Sequence, residues 1–147
     1  MPDKEIDKVL EMAKKIKNIK AFVFDWDGVF NDGKKGAEKT SDFSEVDSMA
    51  IHILRYCYWQ INGRLPIIAI VTGAENESAI KFAERDHLTA VFSYFKDKSQ
   101  ALDILRKEYK LENNEIASFF DDIIDYPLAN ETGLRFLVNR TSSPLTK

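Results

Sequence analysis

The chain has 147 residues, of which 44% are hydrophobic and 31% are charged, and its formal net charge is −3. This composition is ordinary for a soluble globular protein and excludes a disordered chain, a coiled coil and a disulfide scaffold. The basic residues are interleaved with acidic ones, so we expect no nucleic-acid partner. The length favours one domain that spans residues 1–147.

The N-terminal residues and the single cysteine bear on the compartment. Met1-Pro2-Asp3-Lys4-Glu5 is too charged for a signal peptide, and no apolar run approaches the roughly 20 residues that a membrane helix needs. Cys57 cannot form an internal disulfide, which fits a reducing compartment, and we expect it to be buried or at an interface. We therefore expect a cytoplasmic protein without a membrane partner.

The apolar pattern alternates between helix and strand along the chain. Residues 3–18 have apolar side chains at helical spacing, which predicts an amphipathic helix. A continuous apolar run, typical of a strand covered on both faces, follows at 21–24 and is repeated at 66–71, and weaker copies of the pattern lie at 90–92, 117–120 and 135–138. Helical patterns separate them at about 46–61, 75–86, 98–110 and 122–131. We predict an α/β three-layer sandwich with a parallel sheet of about five strands and right-handed crossovers.

Residues 31–44, after the first predicted strand, have a different character. The segment is polar, contains Gly33 and Gly36, and has too few apolar residues to build a domain. We predict a short hairpin or flap beside the first strand. Since the chain has no internal repeat and no interdomain linker, a single domain accounts for it.

Polar residues stand at the carboxyl ends of three predicted strands. Asp25 follows the first strand, Thr72 the second and Asp121 a later one. Ligands of open α/β sheets bind beyond the carboxyl ends of the strands, so these residues mark the predicted site. Taken singly, each motif also has a purely structural explanation: an acidic turn for Asp25-Trp26-Asp27-Gly28, a helix cap for Thr72 and a solvated surface charge for Lys98.

The acidic residues of the last motif call for a compensating charge. Asp121, Asp122 and Asp125 lie within five residues, and such density is costly through mutual repulsion unless a cation or Lys98 offsets it. A hard, oxygen-preferring ion such as Mg²⁺ suits carboxylate ligands. We therefore expect Lys98, or a divalent cation such as Mg²⁺, beside these carboxylates.

The ordered set Asp-x-Asp-Gly, Thr-Gly, Lys and Asp-Asp-x-x-Asp resembles the four motifs of the haloacid dehalogenase (HAD) superfamily of phosphohydrolases. Residues 24–33, 70–73 and 121–127 are similar to the capless subgroup typified by 3-deoxy-D-manno-octulosonate 8-phosphate (KDO8P) phosphatase. The resemblance extends from about Ile16 to the C-terminus. It implies a HAD-like Rossmannoid fold and Mg²⁺-dependent hydrolysis of a small phosphorylated metabolite, a sugar or sugar-acid phosphate.

The resemblance also implies a role for each motif residue. Asp25 would be the nucleophile that becomes an aspartyl phosphate. Asp27 would protonate the departing alkoxide and then activate the hydrolytic water. Thr72 and Gly73 would bind the phosphoryl group, and Lys98 would offset negative charge between Asp25 and the phosphate.

The same resemblance implies a ligand set for Mg²⁺. The ion would be held by Asp25, the backbone carbonyl of Asp27 and Asp121, with Asp122 close by. Asp125 would orient Lys98. Because the phosphate ester and the nucleophile are both anionic, metal and lysine would cancel charge before the two groups meet.

Two departures from the subgroup pattern concern specificity and activity. Phe120 stands where the subgroup usually has Gly, and Val46-Asp47-Ser48 stands where it typically has Arg-Asp-Gly. The alternative is therefore a catalytically weak or inactive HAD-like binding protein. A receiver domain also uses aspartates, a threonine and a lysine, but its lysine follows the last core strand, whereas Lys98 precedes the second acidic cluster.

The open site also bears on the assembly of the protein. Without a cap domain another subunit would have to cover the site, so we expect a homo-oligomer, a dimer or tetramer. The hairpin and the cluster Tyr56-Cys57-Tyr58-Trp59 are the predicted contacts.

Overall fold

The computed structural model describes residues 3–38 and 41–140. Five strands form one sheet, namely β1 (Ala21–Phe24), β2 (Ile67–Val71), β3 (Ala90–Phe92), β4 (Ile116–Phe120) and β5 (Leu134–Leu137). The helices are α1 (Asp3–Asn18), α2 (Glu45–Asn62), α3 (Glu77–Arg85), α4 (Lys98–Tyr109) and α5 (Tyr126–Asn130). Every strand pair is parallel and the order is β3-β2-β1-β4-β5, which confirms the predicted α/β architecture.

Two helix boundaries differ from the predicted ones for local reasons. α3 begins at Glu77 because the side chain of Asn76 accepts a hydrogen bond from the backbone of Ala79 and caps the helix. The helix predicted over 122–131 is a 3-10 turn, Ile123–Asp125, followed by the short α5. Pro127 lies in the first turn of α5, where its lack of an N–H group is tolerated. In the interior of a continuous helix over 122–131 the same residue would remove a backbone hydrogen bond.

β1 and β2 are covered on both faces, as their apolar runs predicted, whereas Arg135 and Leu137 of β5 are exposed. α2 and α3 pack on one face around Phe22, Phe24 and Phe82, and α4 and α5 pack on the other around Val23 and Leu102. All four residues of β1 are buried. The central strand is therefore held rigidly, and so is the start of the segment that follows it.

The described part of residues 31–44, namely 31–38 and 41–44, forms a loop without strand pairing, so of the two predicted forms it is an unpaired flap and not a hairpin. The side chain of Asn31 accepts hydrogen bonds from the backbone N–H groups of Gly28 and Gly33, at 3.1 and 2.9 Å. These bonds make a local turn in place of a strand ladder. The rest of the predicted hairpin, Lys39 and Thr40, lies outside the described residues.

The loop is nevertheless attached to the core. The indole of Trp26 is fully buried, stacks on Phe30 at 4.8 Å between ring centroids, and donates a hydrogen bond to the carbonyl of Ser41 at 3.0 Å. The far end of the loop is thus fixed beside the end of β1.

The structure also shows the exposure of Cys57 and the character of the helices. Cys57 is exposed on α2, so the expectation that it is buried is wrong for a single copy of the chain, because it lies off the helix face that packs on the sheet. In the part of the chain that the structure describes, no helix has the length and apolar character needed to span a bilayer.

Candidate active site

The fold brings the predicted motifs to one edge of the sheet. Asp25 follows β1, Thr72 follows β2, Asp121 follows β4, and Lys98 is the first residue of α4. Asp25, Lys98 and Asp121 line a cleft of about 380 Å³. Its lining includes the predicted site residues Asp25, Asp27, Gly73, Lys98, Asp121 and Asp122, together with Lys35 and Lys96.

Lys98 links two carboxylates at the base of the cleft. Its Nζ donates to Asp25 Oδ1 at 2.6 Å and also contacts Asp125 Oδ1. Burial works against the lysine charge, but the two carboxylates raise the pKa of Lys98 above its ordinary value. The side chain is thus a buried, paired ammonium group and not the solvated surface charge of the alternative explanation.

The Asp25 carboxyl lies in a protected, acidic environment. Burial raises the pKa of Asp25 to about 7, while Lys98 opposes this shift and Asp125 adds to it. A buried carboxylate next to like charges is held ionised only by a nearby cation. Lys98 supplies one positive charge, and a metal ion would supply more.

Asp121 reaches the cleft because Gly28 leaves room for it. A Cβ atom at Gly28 would lie 1.7 Å from Asp121 Oδ2, and Gly28 has a φ of +78°, which side-chain-bearing residues rarely adopt. Burial raises the pKa of Asp121, and the nearby charges of Asp125 and Asp122 raise it further. The glycine of the first motif is therefore required by geometry.

Three carboxylates form a cluster that fits a divalent cation. Oxygen atoms of Asp25, Asp121 and Asp125 lie within 4.8 Å of one another. Asp125 is 2% exposed, and its Oδ2 has no hydrogen-bond partner among the described residues. Carboxylate oxygens are the ligands that hard divalent ions prefer. Asp122, predicted beside the ion, is exposed at the cleft wall, whereas Asp125, predicted only to orient Lys98, joins the cluster as well.

Thr72 lies behind the cleft and does not cap a helix. It is 1% exposed, its backbone N–H donates to the carbonyl of Phe92 at 2.8 Å, and its hydroxyl donates to the carbonyl of Ala74 at 3.4 Å. Because Asn76 caps α3, the helix-cap explanation for Thr72 is wrong. Gly73, the next residue, is at the cleft surface.

Asp27 is tied to the loop by two partners that sequence reasoning did not assign. Ser41 Oγ donates to Asp27 Oδ1, and Lys35 Nζ lies 3.1 Å from Asp27 Oδ2. Asn76 Nδ2 donates to Ser41 Oγ at 3.0 Å. No pattern in the sequence points to Ser41 or Asn76, since their contacts depend on the path of an irregular loop.

Arg140 contacts the segment in which this chain departs from the subgroup pattern. Val46 is 75% exposed. Arg140, after β5, pairs with Asp47 at 3.2 Å and donates to the carbonyls of Gly28 and Val29 at 2.8 and 3.0 Å. Val29, Val46, Asp47 and Arg140 line a second cavity of about 480 Å³.

Comparisons with solved structures identify relatives of this arrangement. A HAD superfamily (subfamily III A) hydrolase from Legionella pneumophila is 27% identical, with a TM-score of 0.70 over 87% of this chain and 70% of that one. The chain is similar to HAD-superfamily hydrolases. The KDO8P phosphatase from Moraxella catarrhalis, solved with magnesium, phosphate and KDO, is 28% identical, with a TM-score of 0.70 over 84% of this chain and 69% of that one.

A third relative shares the fold of this chain. The cobalt-bound KDO8P phosphatase from Haemophilus influenzae is 23% identical, with a TM-score of 0.73 over 89% of this chain and 74% of that one. No protein-family model and no curated protein matches the sequence. The resemblance predicted from the motifs is confirmed by the solved structures, and these neighbours support a phosphatase.

Proposed function

We propose that this HAD-like protein is a Mg²⁺-dependent phosphomonoester hydrolase that acts through an aspartyl phosphate on Asp25. The observation that carries the proposal is the position of the Asp25 carboxylate at the end of β1, 2.6 Å from Lys98 and within an acidic cluster that fits a cation. An anionic nucleophile needs such compensation to approach an anionic ester.

The proposed reaction has two steps on the same side chain. In the first, an Asp25 carboxylate oxygen attacks phosphorus, the bond from phosphorus to the alkoxide oxygen breaks, and the alkoxide takes a proton from Asp27. In the second, Asp27 removes a proton from water, the water oxygen attacks phosphorus, and the bond from phosphorus to Asp25 breaks. Inorganic phosphate leaves and Asp25 is restored.

The remaining site residues would bind the phosphoryl group and the metal ion. Gly73 at the cleft surface, with Thr72 behind it, supports the phosphoryl-binding role predicted for this pair. Asp25 and Asp121, with the backbone carbonyl of Asp27, would hold Mg²⁺, and Asp122 and Asp125 lie next to them. When bound, the ion supplies positive charge at the phosphoryl oxygens.

A small sugar or sugar-acid phosphate is the proposed substrate class. The cleft is modest in volume and carries the ammonium groups of Lys35 and Lys96, which suit an anionic metabolite. The described residues contain no cap domain, and the neighbours include KDO8P phosphatases. We further propose a single catalytic domain over residues 1–147, a cytoplasmic location, and assembly of several copies through the exposed apolar face of α2.

A panel of phosphomonoesters tests the function. We expect hydrolysis of at least one sugar phosphate with Mg²⁺, loss of turnover on chelation, and poor substitution by Ca²⁺, whose larger coordination sphere would misplace the nucleophile. Asp25→Asn should be inactive. Absence of hydrolysis by metal-replete protein, with Asp25→Asn indistinguishable from it, would instead support the catalytically inactive binding protein.

A further inference from the structure

A line of three hydrogen-bonded side chains connects α3 with Asp27. Asn76 Nδ2 donates to Ser41 Oγ at 3.0 Å, and Ser41 Oγ donates to Asp27 Oδ1. Ser41 and Asn76 are each 1% exposed. Buried polar groups without solvent depend on their protein partners, so these bonds define the orientation of both side chains.

The direction of each bond follows from the partners at its ends. Asn76 Oδ1 accepts the capping bond from the backbone N–H of Ala79, which leaves its amide N–H groups to face Ser41. A serine hydroxyl has one proton. Ser41 Oγ accepts a hydrogen bond from Asn76, and the other partner of this oxygen, Asp27 Oδ1, is an acceptor. The hydroxyl proton of Ser41 is therefore directed to Asp27 Oδ1.

The loop backbone holds this line in place. The carbonyl of Ser41 accepts a hydrogen bond from the fully buried indole of Trp26 at 3.0 Å. Trp26 lies between Asp25 and Asp27 in sequence. The serine is thus anchored to the segment whose carboxylate it contacts, and to α3 through Asn76.

The two oxygens of Asp27 therefore have different surroundings. Oδ1 is engaged by the buried hydroxyl of Ser41. Oδ2 pairs at 3.1 Å with Lys35, whose side chain is 40% exposed. A half-exposed lysine exchanges partners readily, whereas a buried hydroxyl does not.

We propose that Ser41 and Asn76 are positioning residues that hold the Asp27 carboxyl so that Oδ2 faces the cleft for proton transfer. This inference rests on the proposed function, in which Asp27 is the general acid and base. A group in that role must lie within hydrogen-bonding reach of the proton that it transfers. Ser41 and Asn76 act through Asp27 and do not touch the substrate.

The test compares Ser41→Ala with a matched control, Ser78→Ala. Ser78 Oγ donates to Asp42 Oδ1 at 2.8 Å, so its removal also breaks a serine–aspartate bond between α3 and the loop, but without contact to Asp27. Values of kcat and KM are measured for p-nitrophenyl phosphate and for the best alkyl phosphate of the substrate panel. The first ester needs little protonation of its leaving group, whereas the second needs the acid.

For Ser41→Ala we expect kcat for the alkyl phosphate to fall by about 10²-fold, the loss typical of a misplaced catalytic group, with KM nearly unchanged. With p-nitrophenyl phosphate the first step is retained, so phosphoenzyme accumulates, as intact mass measurement detects. Ser41→Thr, which keeps the hydroxyl, should restore turnover of the alkyl ester, and Ser78→Ala should behave as wild type. Equal losses of kcat/KM on both esters, absence of accumulated phosphoenzyme with p-nitrophenyl phosphate, a change in KM alone, or the same losses in Ser78→Ala would overturn the proposal.

Two further experiments test the positioning role if Ser41→Ala does not fold or if no ester is hydrolysed. If Ser41→Ala does not fold, Asn76→Ser keeps a capping residue for α3 and removes the amide donor, and the same selective loss is expected at smaller size. Crystal structures of wild type and Ser41→Ala give a readout that needs no turnover. We expect one Asp27 orientation in wild type and a rotated or multiple one in the variant. If the orientation of the Asp27 carboxyl is the same in both structures, the positioning role is overturned, whether or not the wild type hydrolyses an ester. If the wild type hydrolyses no ester, the proposed function is refuted, and this result is independent of the Asp27 orientation.

Discussion

Asp25 and Asp27 are two carboxylates two positions apart, and their surroundings suit them to different tasks. The Asp25 side chain is 9% exposed and pairs with the equally buried ammonium of Lys98. The Asp27 side chain is 28% exposed and has one oxygen toward a half-exposed lysine. A fixed ion pair suits a nucleophile that must stay ionised, whereas access to solvent and an exchangeable partner suit a group that gives and takes protons.

Asp27→Asn separates these two roles. A lost general acid and base should slow both half-reactions by about 10²- to 10⁴-fold on esters with poor leaving groups. With p-nitrophenyl phosphate the first step partly recovers while hydrolysis of the intermediate stays slow, so intact mass spectrometry should detect one added phosphoryl group. The double variant Asp25→Asn, Asp27→Asn should lack that mass. Wild-type turnover of good and poor leaving groups by Asp27→Asn would refute the assignment.

Gly28→Ala tests whether close packing against Asp121 is required by the site. The added Cβ would overlap the Asp121 carboxylate, so we expect strongly reduced turnover and weaker metal binding by calorimetry. Gly63→Ala is the matched control, since Gly63 also has a positive φ, +67°, but has nothing within 4 Å of the added atom. Both variants should lose about 1–2 kcal/mol of stability to the left-handed backbone, yet Gly63→Ala should keep full activity. Equal activity of the two variants would contradict the steric argument.

Asp25→Asn should raise the free energy of unfolding of the metal-free protein, and the difference from wild type should increase with pH. Burial raises the pKa of Asp25 to about 7 from 3.8, so the folded chain keeps a proton that the unfolded chain releases between these values. The resulting stabilisation is complete below pH 3.8 and is lost as the pH rises through about 7. The asparagine side chain does not ionise, so the variant does not lose stability in this way as the pH rises.

Thermal unfolding in chelator measures this effect. The Tm difference between Asp25→Asn and wild type should widen between pH 3.8 and about pH 7 and then stay constant, because in this interval the unfolded chain has released the Asp25 proton that the folded chain still holds. Asp7→Asn, on the exposed α1, is the control for a surface acid. A Tm difference that is constant or shrinks over this pH interval would show that the buried charge of Asp25 does not limit stability.

Among the secondary-structure elements, three strands are joined by a row of aromatic rings. Phe24, Phe119 and Phe136 are register partners on β1, β4 and β5, and their rings stack at centroid distances of 4.5 and 4.6 Å. Cross-strand pairs of this kind stabilise a sheet beyond the apolar area that they bury. The row supports the strands that carry Asp25 and Asp121.

A double-mutant cycle measures this contribution. For Phe119→Leu and Phe136→Leu we expect a coupling free energy of about 0.5–1.5 kcal/mol in urea unfolding. Phe119→Leu combined with Phe92→Leu should be additive within about 0.5 kcal/mol, because β3 lies three strands away. Equal coupling in the two cycles would mean that the effect arises from general loosening of the core.

For the whole molecule, the outward face of α2 is the strongest candidate for an interface between copies. It presents the large apolar side chains Val46, Met49, Ile53, Tyr56 and Trp59, each 48–75% exposed. Extended apolar patches on soluble proteins mark interaction sites. The predicted aromatic contact cluster lies partly on this face, whereas the described part of the loop has no paired strand to offer.

Light scattering at several protein concentrations tests this assembly. We expect a mass above that of one chain, and Ile53→Lys should shift it toward the monomer because a charge would be buried at the contact. Ile104→Lys, an exposed isoleucine on α4, is the matched control and should leave the mass unchanged. A wild-type mass of one chain at every concentration would contradict the prediction.

The sequence by itself determined the strands and the edge of the sheet where the site lies. Continuous apolar runs predicted strands buried on both faces, and residues after such runs meet at one edge whenever the strands are parallel. Asp25, Lys98 and Asp121 could therefore be placed near one another without coordinates. This inference succeeds because periodicity and strand ends are local properties of the chain.

Only the tertiary structure decided the contacts made by loops and by residues distant in sequence. Ser41 and Asn76 are 35 positions apart, and Arg140 and Gly28 are 112 apart, so no local pattern joins them. The unpaired loop, the exposed Cys57 and the inclusion of Asp125 in the carboxylate cluster likewise follow from how segments pack in three dimensions. Irregular backbone follows the side-chain and backbone hydrogen bonds available after packing, and these partners exist only in the folded chain.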